Sequence, residues 1–196
     1  GGGLALRGHR VLLVDMDPQA NLSLHFDIDV HSLDHSTYTL LTGRSSVSET
    51  VLPDVREGLS VLPSNLDLAG AELELSNAVG RETVLRNCLW PFVEEDGFDF
   101  VLFDCPPSLG LLSLNAMTAA NEVFVCLQTE YFALQGMSRL MDVIELIQKR
   151  LGHPVRITGI IPTLLDVRTN LGREVVAEIR RHFGGRVFKT IIHTNV

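Results

Sequence analysis

Lysine and long apolar runs are scarce in this chain. Only Lys149 and Lys189 are lysines among its 16 basic residues, so any chemistry that needs a lysine has just two candidates. Apolar runs such as residues 11–14 are strand-sized, far below the roughly 20 residues that a membrane-spanning helix needs. We therefore expect a soluble protein.

Cysteine is also rare. The three cysteines, Cys88, Cys105 and Cys126, are odd in number, widely spaced and set in apolar sequence. This pattern argues against a disulfide framework or a metal site and favours buried thiols in a reducing compartment. We therefore expect a cytoplasmic protein.

The net charge of the chain bears on whether it binds nucleic acid. Its 196 residues carry a net charge of −8 at neutral pH. This charge argues against coating nucleic acid through overall charge, although a local basic patch is compatible with it. Such a patch has to be found by position.

Strand-like and helix-like segments alternate along most of the chain. The apolar runs are mostly continuous, which is typical of strands covered on both faces. The expected strands are residues 10–15, 59–62, 99–104, 122–127, 156–161 and 187–192. The expected helices are residues 66–75, 81–95, 111–120, 134–151 and 171–183, and residues 27–57 are assigned to an irregular, helix-containing excursion over the sheet edge. The pattern predicts one α/β domain with a doubly wound, mainly parallel sheet and helices on both faces.

Carboxylates follow two of the expected strands. Asp15 and Asp17 come at the end of one, and Asp104 ends another. Ligands of open α/β sheets bind beyond the carboxyl ends of the strands, and Mg²⁺ takes oxygen ligands there. We predict that Asp104 holds magnesium, that Asp17 orients an attacking water, and that Asp15 belongs to the outer shell of the metal.

The loop after Asp104 is stiff. Pro106 and Pro107 fix its course, which leaves Ser108 and Gly110 free to meet a γ-phosphate. The alternative is that a strand ending in aspartate forms only a turn or a helix cap, which is common for either motif alone. The two motifs together favour a phosphate and magnesium site.

Several segments resemble the ParA/Soj family of partitioning ATPases, which have a P-loop NTPase fold. Residues 7–21 are similar to the switch I region of that family, and residues 98–110 to its Walker B and switch II. The similarity continues through residues 115–120, 128–136 and 166–171. It spans nearly the whole chain in order.

The resemblance implies an ATP-driven dimeric switch. Family members bind ATP and Mg²⁺ between two subunits, bind DNA without sequence specificity, and are reset by a ParB-type partner. By motif position, Asp17 positions the attacking water and Asp104 holds magnesium through water. From their places after the two strands, Asp15 is added as a ligand of magnesium through water, and Pro107, Ser108 and Gly110 as residues of the nucleotide site. Arg168 matches a family position implicated in DNA binding. Arginines on the following helix, Arg173, Arg180 and Arg181, are further candidates for phosphate contact; alternatively they form a solvated face paired with Glu174 and Glu178.

One family feature is missing. Members carry a glycine-rich loop with a signature lysine that holds the phosphates. Here Gly1, Gly2 and Gly3 are followed by no lysine, serine or threonine that could complete such a loop, and neither Lys149 nor Lys189 replaces it. We expect residues 1–196 to be a partial domain, inactive as an ATPase in this form, without the Walker A strand and loop and without the C-terminal helix. A fragment is favoured; a shortened gene product and a degenerate member that no longer binds ATP are the alternatives.

Two other functions are compatible with the sequence. The first is a non-hydrolysing interaction module that keeps the fold and docks to a partner. Retention of Asp15, Asp17 and Asp104 argues against it, because carboxylates converging on an empty site repel one another. The second is a MinD-like positioning ATPase recruited to the membrane, which would need a terminal amphipathic helix to hold the membrane surface. No such helix is expected at either end of residues 1–196, and the Asp-Pro-Gln-Ala-Asn sequence of residues 17–21 favours the ParA/Soj side.

Overall fold

A computed structural model describes residues 1–128, 133–165 and 170–194 of the protein. The chain forms two compact units, Gly1–Ala119 and Ala120–Val196. None of the helices in the described part of the chain is both long and apolar enough to cross a membrane. The prediction of a single domain over residues 1–196 stays a prediction.

The first unit contains a four-stranded sheet. Its strands are β1 (Val11–Asp15), β2 (Leu52–Arg56), β3 (Leu59–Leu62) and β4 (Phe100–Asp104). The strand order is β2-β3-β1-β4, with β1 parallel to both β3 and β4, and β2 antiparallel to β3. The helices are α1 (Gly2–Ala5), α2 (Asn21–His25), α3 (Thr37–Leu41), α4 (Val47–Thr50), α5 (Leu68–Glu74), α6 (Val84–Asp96) and α7 (Leu111–Ala119).

Strand β1 is the centre of this unit, and all five of its residues are buried. Side chains alternate across a strand, so the two faces of β1 meet different partners. Leu12 and Val14 join a cluster built largely from α3 to α7, whereas Val11 and Leu13 join a second cluster on the other face. The continuous apolar sequence of β1 is therefore explained by a sheet covered on both faces, as predicted.

Strand β4 differs from β1 in being paired on one side only. Among the described residues it forms a ladder with β1 and with no other strand. Phe100 is 40% exposed, and the apolar residues between it and Asp104 are only half-buried. This strand is therefore the edge of the sheet in the described structure.

The second unit contains a parallel pair of strands. These are β5 (Glu122–Gln128) and β6 (Arg156–Thr163), and the helices are α8 (Ala133–Leu151) and α9 (Asn170–Phe183). A buried cluster in this unit contains Leu127, Met137, Ile160, Ile179 and Val187. A short 3₁₀ turn, Gly184–Arg186, follows α9.

Most of the predicted elements are confirmed, and two segments differ. Strand β2 was not predicted because Leu52–Arg56 contains proline and charged residues, a composition that an edge strand tolerates. Gly58, with φ +70°, closes the hairpin from β2 to β3. The predicted strand at residues 187–192 is wrong: the segment meets β6 at separate points, where Phe188 N donates to Ile160 O and Ile192 N to Pro162 O.

The core of the first unit is testable with a matched pair of leucines on α5. Leu68 is fully buried and Leu73 is 79% exposed. We expect Leu68→Ala to lower the free energy of unfolding by about 2–5 kcal/mol, because a buried cavity forms. Leu73→Ala should change it by less than about 0.5 kcal/mol. The measurement is urea unfolding followed by fluorescence of Trp90, the single tryptophan, which packs on this core. Equal losses in the two variants would contradict the described packing.

Candidate functional site

The carboxyl ends of β1 and β4 lie side by side. Asp15 and Asp104 are register partners in the parallel ladder, and neighbouring strands are about 4.8 Å apart. The amide of Met16 donates to the carbonyl oxygen of Asp104 at 2.8 Å, which extends the pairing by one residue. The two predicted carboxylates therefore meet at one edge of the sheet.

The Asp15 side chain is enclosed by the chain that follows it. It has no exposed surface. Its Oδ2 accepts hydrogen bonds from Ser23 N at 2.9 Å and from Ser23 Oγ at 2.7 Å, and its Oδ1 accepts one from Asp17 N at 3.2 Å. Burial raises the pKa of Asp15, and the hydrogen bonds from Ser23 and Asp17 oppose this effect. A metal role for Asp15 would require these contacts to open.

The contacts of Asp15 extend into a buried polar network. Ser23 Oγ also accepts a hydrogen bond from Ser64 N at 3.0 Å. Thr37 Oγ1 lies within hydrogen-bond distance of two carbonyl oxygens, 2.8 Å from that of Asp15 and 3.0 Å from that of Pro63. The network joins the end of β1 to α2, to α3 and to the chain after β3, and it fixes the segment that carries Asp17.

Asp17 lies in a tight turn and is half-buried. Its Oδ1 accepts a hydrogen bond from Gln19 N at 3.0 Å, and its carbonyl oxygen accepts one from Ala20 N at 2.9 Å. Ala20 is buried with φ +53°, a left-handed conformation that residues other than glycine rarely adopt. Within the described residues Oδ2 of Asp17 accepts no hydrogen bond, so this oxygen is available to a ligand.

Asp104 is exposed, unlike Asp15. Removal of water around its carboxyl group raises its pKa, and the negative charges of Asp15 and Asp17 raise it further. The three predicted carboxylates are therefore within electrostatic reach of one another. Among the described residues, these aspartates included, no group of three or more histidine, cysteine, aspartate or glutamate side chains is arranged to hold a metal ion.

The loop after β4 leads directly into α7. Pro107 and Ser108 are exposed and Gly110 is half-buried. The Ser108 carbonyl oxygen accepts a hydrogen bond from Ser113 Oγ at 2.5 Å. The loop is thus tied to the first turn of α7.

Glu72 of α5 reaches the same loop. Its Oε1 accepts a hydrogen bond from Leu112 N at 3.3 Å, at the start of α7. The same oxygen lies close to Gly110, and a Cβ atom on residue 110 would collide with it. A carboxylate is favoured at a helix N-terminus, where backbone N–H groups are unpaired.

The remaining predicted site residues belong to the second unit. Arg173, Arg180 and Arg181 lie on α9, whereas Arg168 lies outside the described residues. Arg181 forms an ion pair with Glu178 at 2.5 Å, as the solvated-face alternative predicts, whereas Arg180 lines a groove described below.

Sequence reasoning missed Ser23, Thr37, Ser64 and Glu72, whose contacts with the site cannot be read from local spacing. The expectation of buried thiols is also wrong. Cys88 is half-buried, and Cys105 and Cys126 are exposed.

This chain spans about three quarters of the length of two known proteins, and both match all of it. A family model described as "AAA domain" matches residues 1–157. The sporulation initiation inhibitor protein Soj of Bacillus subtilis (strain 168) is 40% identical over 196 residues, which are 100% of this chain and 77% of that protein. The chromosome partitioning protein ParA of Caulobacter vibrioides (strain NA1000 / CB15N) is 40% identical over 100% of this chain and 73% of its own length.

Two solved structures extend the comparison. Cobyrinic acid a,c-diamide synthase from Mycobacterium smegmatis, with bound ATP analogue and magnesium, superposes with a TM-score of 0.89 at 37% identity, over 100% of this chain and 79% of that chain. Apo McdA of Cyanothece has a TM-score of 0.89 at 20% identity, over 100% and 78% of the two chains. The second likeness shows the fold alone.

The buried network is testable at Ser23. In Ser23→Ala the Asp15 carboxylate loses one donor and Ser64 N loses its acceptor, and each unsatisfied buried group costs about 1–3 kcal/mol. We expect the free energy of unfolding, measured in urea, to fall by at least that amount. Ser48→Ala, at an exposed serine on α4, is the control and should change it by less than about 0.5 kcal/mol. Similar free energies of unfolding for the two variants would show that the hydrogen bonds of Ser23 do not stabilise the site.

The raised pKa of Asp104 is testable through pH. Because this pKa is raised in the folded protein, the ionised form of Asp104 is less favourable there than in the unfolded chain. The contribution of Asp104 to stability should therefore fall as pH rises from 3.8, the ordinary value, through the folded pKa. Asp104→Asn lacks this penalty, so in magnesium-free buffer it should be more stable than wild type at neutral pH, and the gain should vanish in acid.

The control for this measurement is Asp34→Asn, which removes the same charge from an exposed loop position. It should show no comparable gain in the urea midpoint at neutral pH. A pH-independent difference between Asp104→Asn and wild type would show that the pKa of Asp104 is not raised in the folded protein.

Proposed function

Because this chain belongs to the Soj/ParA family of AAA-domain partitioning ATPases, we propose that it acts in DNA partitioning as a switch driven by ATP and Mg²⁺. The observation that carries the proposal is the arrangement at the sheet edge. Asp17 offers a free carboxylate oxygen, and Asp104 is an exposed carboxylate on the neighbouring strand end. A buried network around Asp15 holds the loop that carries Asp17 in position.

The donor set fits magnesium rather than a metal that binds thiols or imidazoles. Mg²⁺ usually keeps several waters and takes one or two carboxylates together with substrate phosphates. Asp104 would hold it through water, and Asp17 would position the attacking water. When bound, the ion neutralises charge on the phosphoryl group that is transferred. Asp15, which the sequence assigned to the outer shell of the metal, would act chiefly by holding the Asp17 turn.

The loop after β4 completes the part of the nucleotide site that this chain contains. Pro107, Ser108 and Gly110 would face the terminal phosphate, with the loop anchored on α7 through Ser113. The sequence contains no glycine-rich loop with a lysine, so the residues present account for the magnesium and water side of the site but not for the phosphate cradle.

Charge is distributed unevenly between the two units, which supports DNA binding by the second. Residues 1–119 contain six basic and 17 acidic residues, whereas residues 120–196 contain ten basic and seven acidic residues. A positively charged unit attracts the phosphate backbone whatever its sequence. We assign non-specific DNA contact to this unit, with Arg168, Arg173, Arg180 and Arg181 as the candidates from sequence.

The remaining features of the proposal follow the family. The intact protein would form a homodimer when ATP is bound, a ParB-type partner would reset it, and it would act in the cytoplasm on the nucleoid. The names of the Soj and ParA relatives support a role in chromosome partitioning.

A second candidate function comes from the 37% identical solved structure, which is named as a cobyrinic acid a,c-diamide synthase and contains a bound ATP analogue and magnesium. Both functions use the same ATP and magnesium site, so nucleotide binding does not separate them. Binding of duplex DNA does, because an amide-forming enzyme has no need for it.

The nucleotide site is tested by titration with a fluorescent ATP analogue in the presence and absence of Mg²⁺. We expect the full product of the gene to bind the analogue in a magnesium-dependent way. Asp104→Ala should weaken the magnesium-dependent part by about tenfold or more, as loss of an outer-shell ligand does. Asp34→Ala is the control and should bind like wild type. Absence of binding by the full product would reject the ATPase function and favour the interaction module.

A further inference from the structure

A groove of about 620 Å³ lies in the second unit, where α9 ends. Thr158 of β6 lines one side, and the 3₁₀ turn Gly184–Arg186 and the segment after it form the rest. Three cationic side chains line it: Arg180, Arg186 and Lys189. Only Arg180 was a candidate from sequence, because the other two lie beyond the helix.

The three cations of the groove are not neutralised by the described protein. All three residues are exposed, and none forms an ion pair with a described acidic residue. Glu122 is the acid next to the groove: it accepts a hydrogen bond from Thr158 Oγ1 at 3.3 Å and is paired with Arg156 at 3.5 Å. The groove therefore keeps a positive charge available to an anion.

Arg180 and Arg181 have different surroundings although they are adjacent in sequence. Successive residues of an α-helix point about 100° apart, so the two side chains lie on different faces of α9. Arg181 is paired with Glu178, whereas Arg180 lines the groove. The charge of Arg181 is therefore neutralised by an ion pair with a described residue, whereas that of Arg180 is not.

The wall of the groove is anchored in the core. Val187 and Ile160 are both buried, and Phe188 N donates a hydrogen bond to Ile160 O at 2.8 Å. The Phe188 ring packs near Phe124, with ring centroids 6.0 Å apart, and both rings lie against Gly159. The segment that carries Arg186 and Lys189 is thus held in place before a ligand binds, which reduces the entropy lost on binding.

We propose that this groove binds the phosphodiester backbone of duplex DNA through Arg180, Arg186 and Lys189. The inference rests on the proposed DNA-binding function and specifies where its phosphate contacts lie. A groove open to solvent with three cations suits a repeating polyanion, and contacts of this kind set position without reading sequence. The positive balance of the whole unit adds long-range attraction to the same ligand.

The proposal is tested by fluorescence anisotropy with short duplexes of unrelated sequence, using the full product of the gene with ATP and Mg²⁺ over a range of salt concentrations. The groove variant combines Arg180→Ala, Arg186→Ala and Lys189→Ala. The control removes three exposed basic side chains from α8, through Arg139→Ala, Lys149→Ala and Arg150→Ala. Both variants lose the same charge, so a general electrostatic effect lowers binding equally in the two.

The expected result is a loss confined to the groove variant. Each phosphate contact removed should reduce the slope of log affinity against log salt by about 0.9, hence by about 2.7 for three contacts, on every duplex. The control variant should keep the wild-type slope. Among single changes, Arg180→Ala should weaken binding more than Arg181→Ala does.

Three outcomes separate the possible failures. Equal losses of DNA affinity in the groove and control variants would show that the groove is not the DNA-binding site, while DNA binding itself would remain supported. Absence of duplex binding by the unmodified protein would overturn the DNA-binding function itself. The variant Arg180→Lys with Arg186→Lys keeps the charge and should keep the salt slope; if it loses binding as the alanine variant does while remaining folded by circular dichroism, phosphate contact is not the explanation.

Discussion

The carboxylate of Asp15, buried at the end of the central strand, is the constraint on which the first unit depends. A charged group without exposed surface needs hydrogen bonds, and the chain supplies them by folding residues 16–23 back over the strand end. Ser23 then ties this loop to the end of β3, and Thr37 ties α3 to the same place. The position of Asp17, and with it the proposed hydrolytic geometry, follows from satisfying one buried charge.

The second unit shows the opposite arrangement at its groove, because the three cations there form no ion pair with a described acidic residue. Arg180, Arg186 and Lys189 surround a groove whose wall is anchored in the core, so their positions are set while their charges remain available. In the proposed function, the first unit would bind magnesium and phosphate, and the second would bind DNA. The acidic balance of residues 1–119 also opposes contact of that unit with DNA.

The sequence was sufficient for the elements whose signal is local. Strand β1 was predictable because its apolar run is continuous, and Asp17 and Asp104 because polar residues at strand ends mark sites in α/β folds. Ser23 was not predictable, since its partner Ser64 is 41 residues away and a serine near a strand end is common. The groove was missed for a similar reason: Arg186 and Lys189 follow the end of α9, where helical periodicity no longer relates them to Arg180.

The asymmetry between β1 and β4 has a consequence for the exchange of backbone amide protons with solvent. Every residue of β1 is buried, and Val11 to Val14 are paired on both edges, so the amides of this strand should exchange only when the unit opens globally. In β4 only the edge that faces β1 is paired among the described residues. The amides on its other edge have no ladder partner there, so their exchange does not require global opening of the unit. Of the two strands that build the site, β4, which carries Asp104, should therefore show the faster amide exchange. A ligand bound at Asp104 should slow exchange more in β4 than in β1.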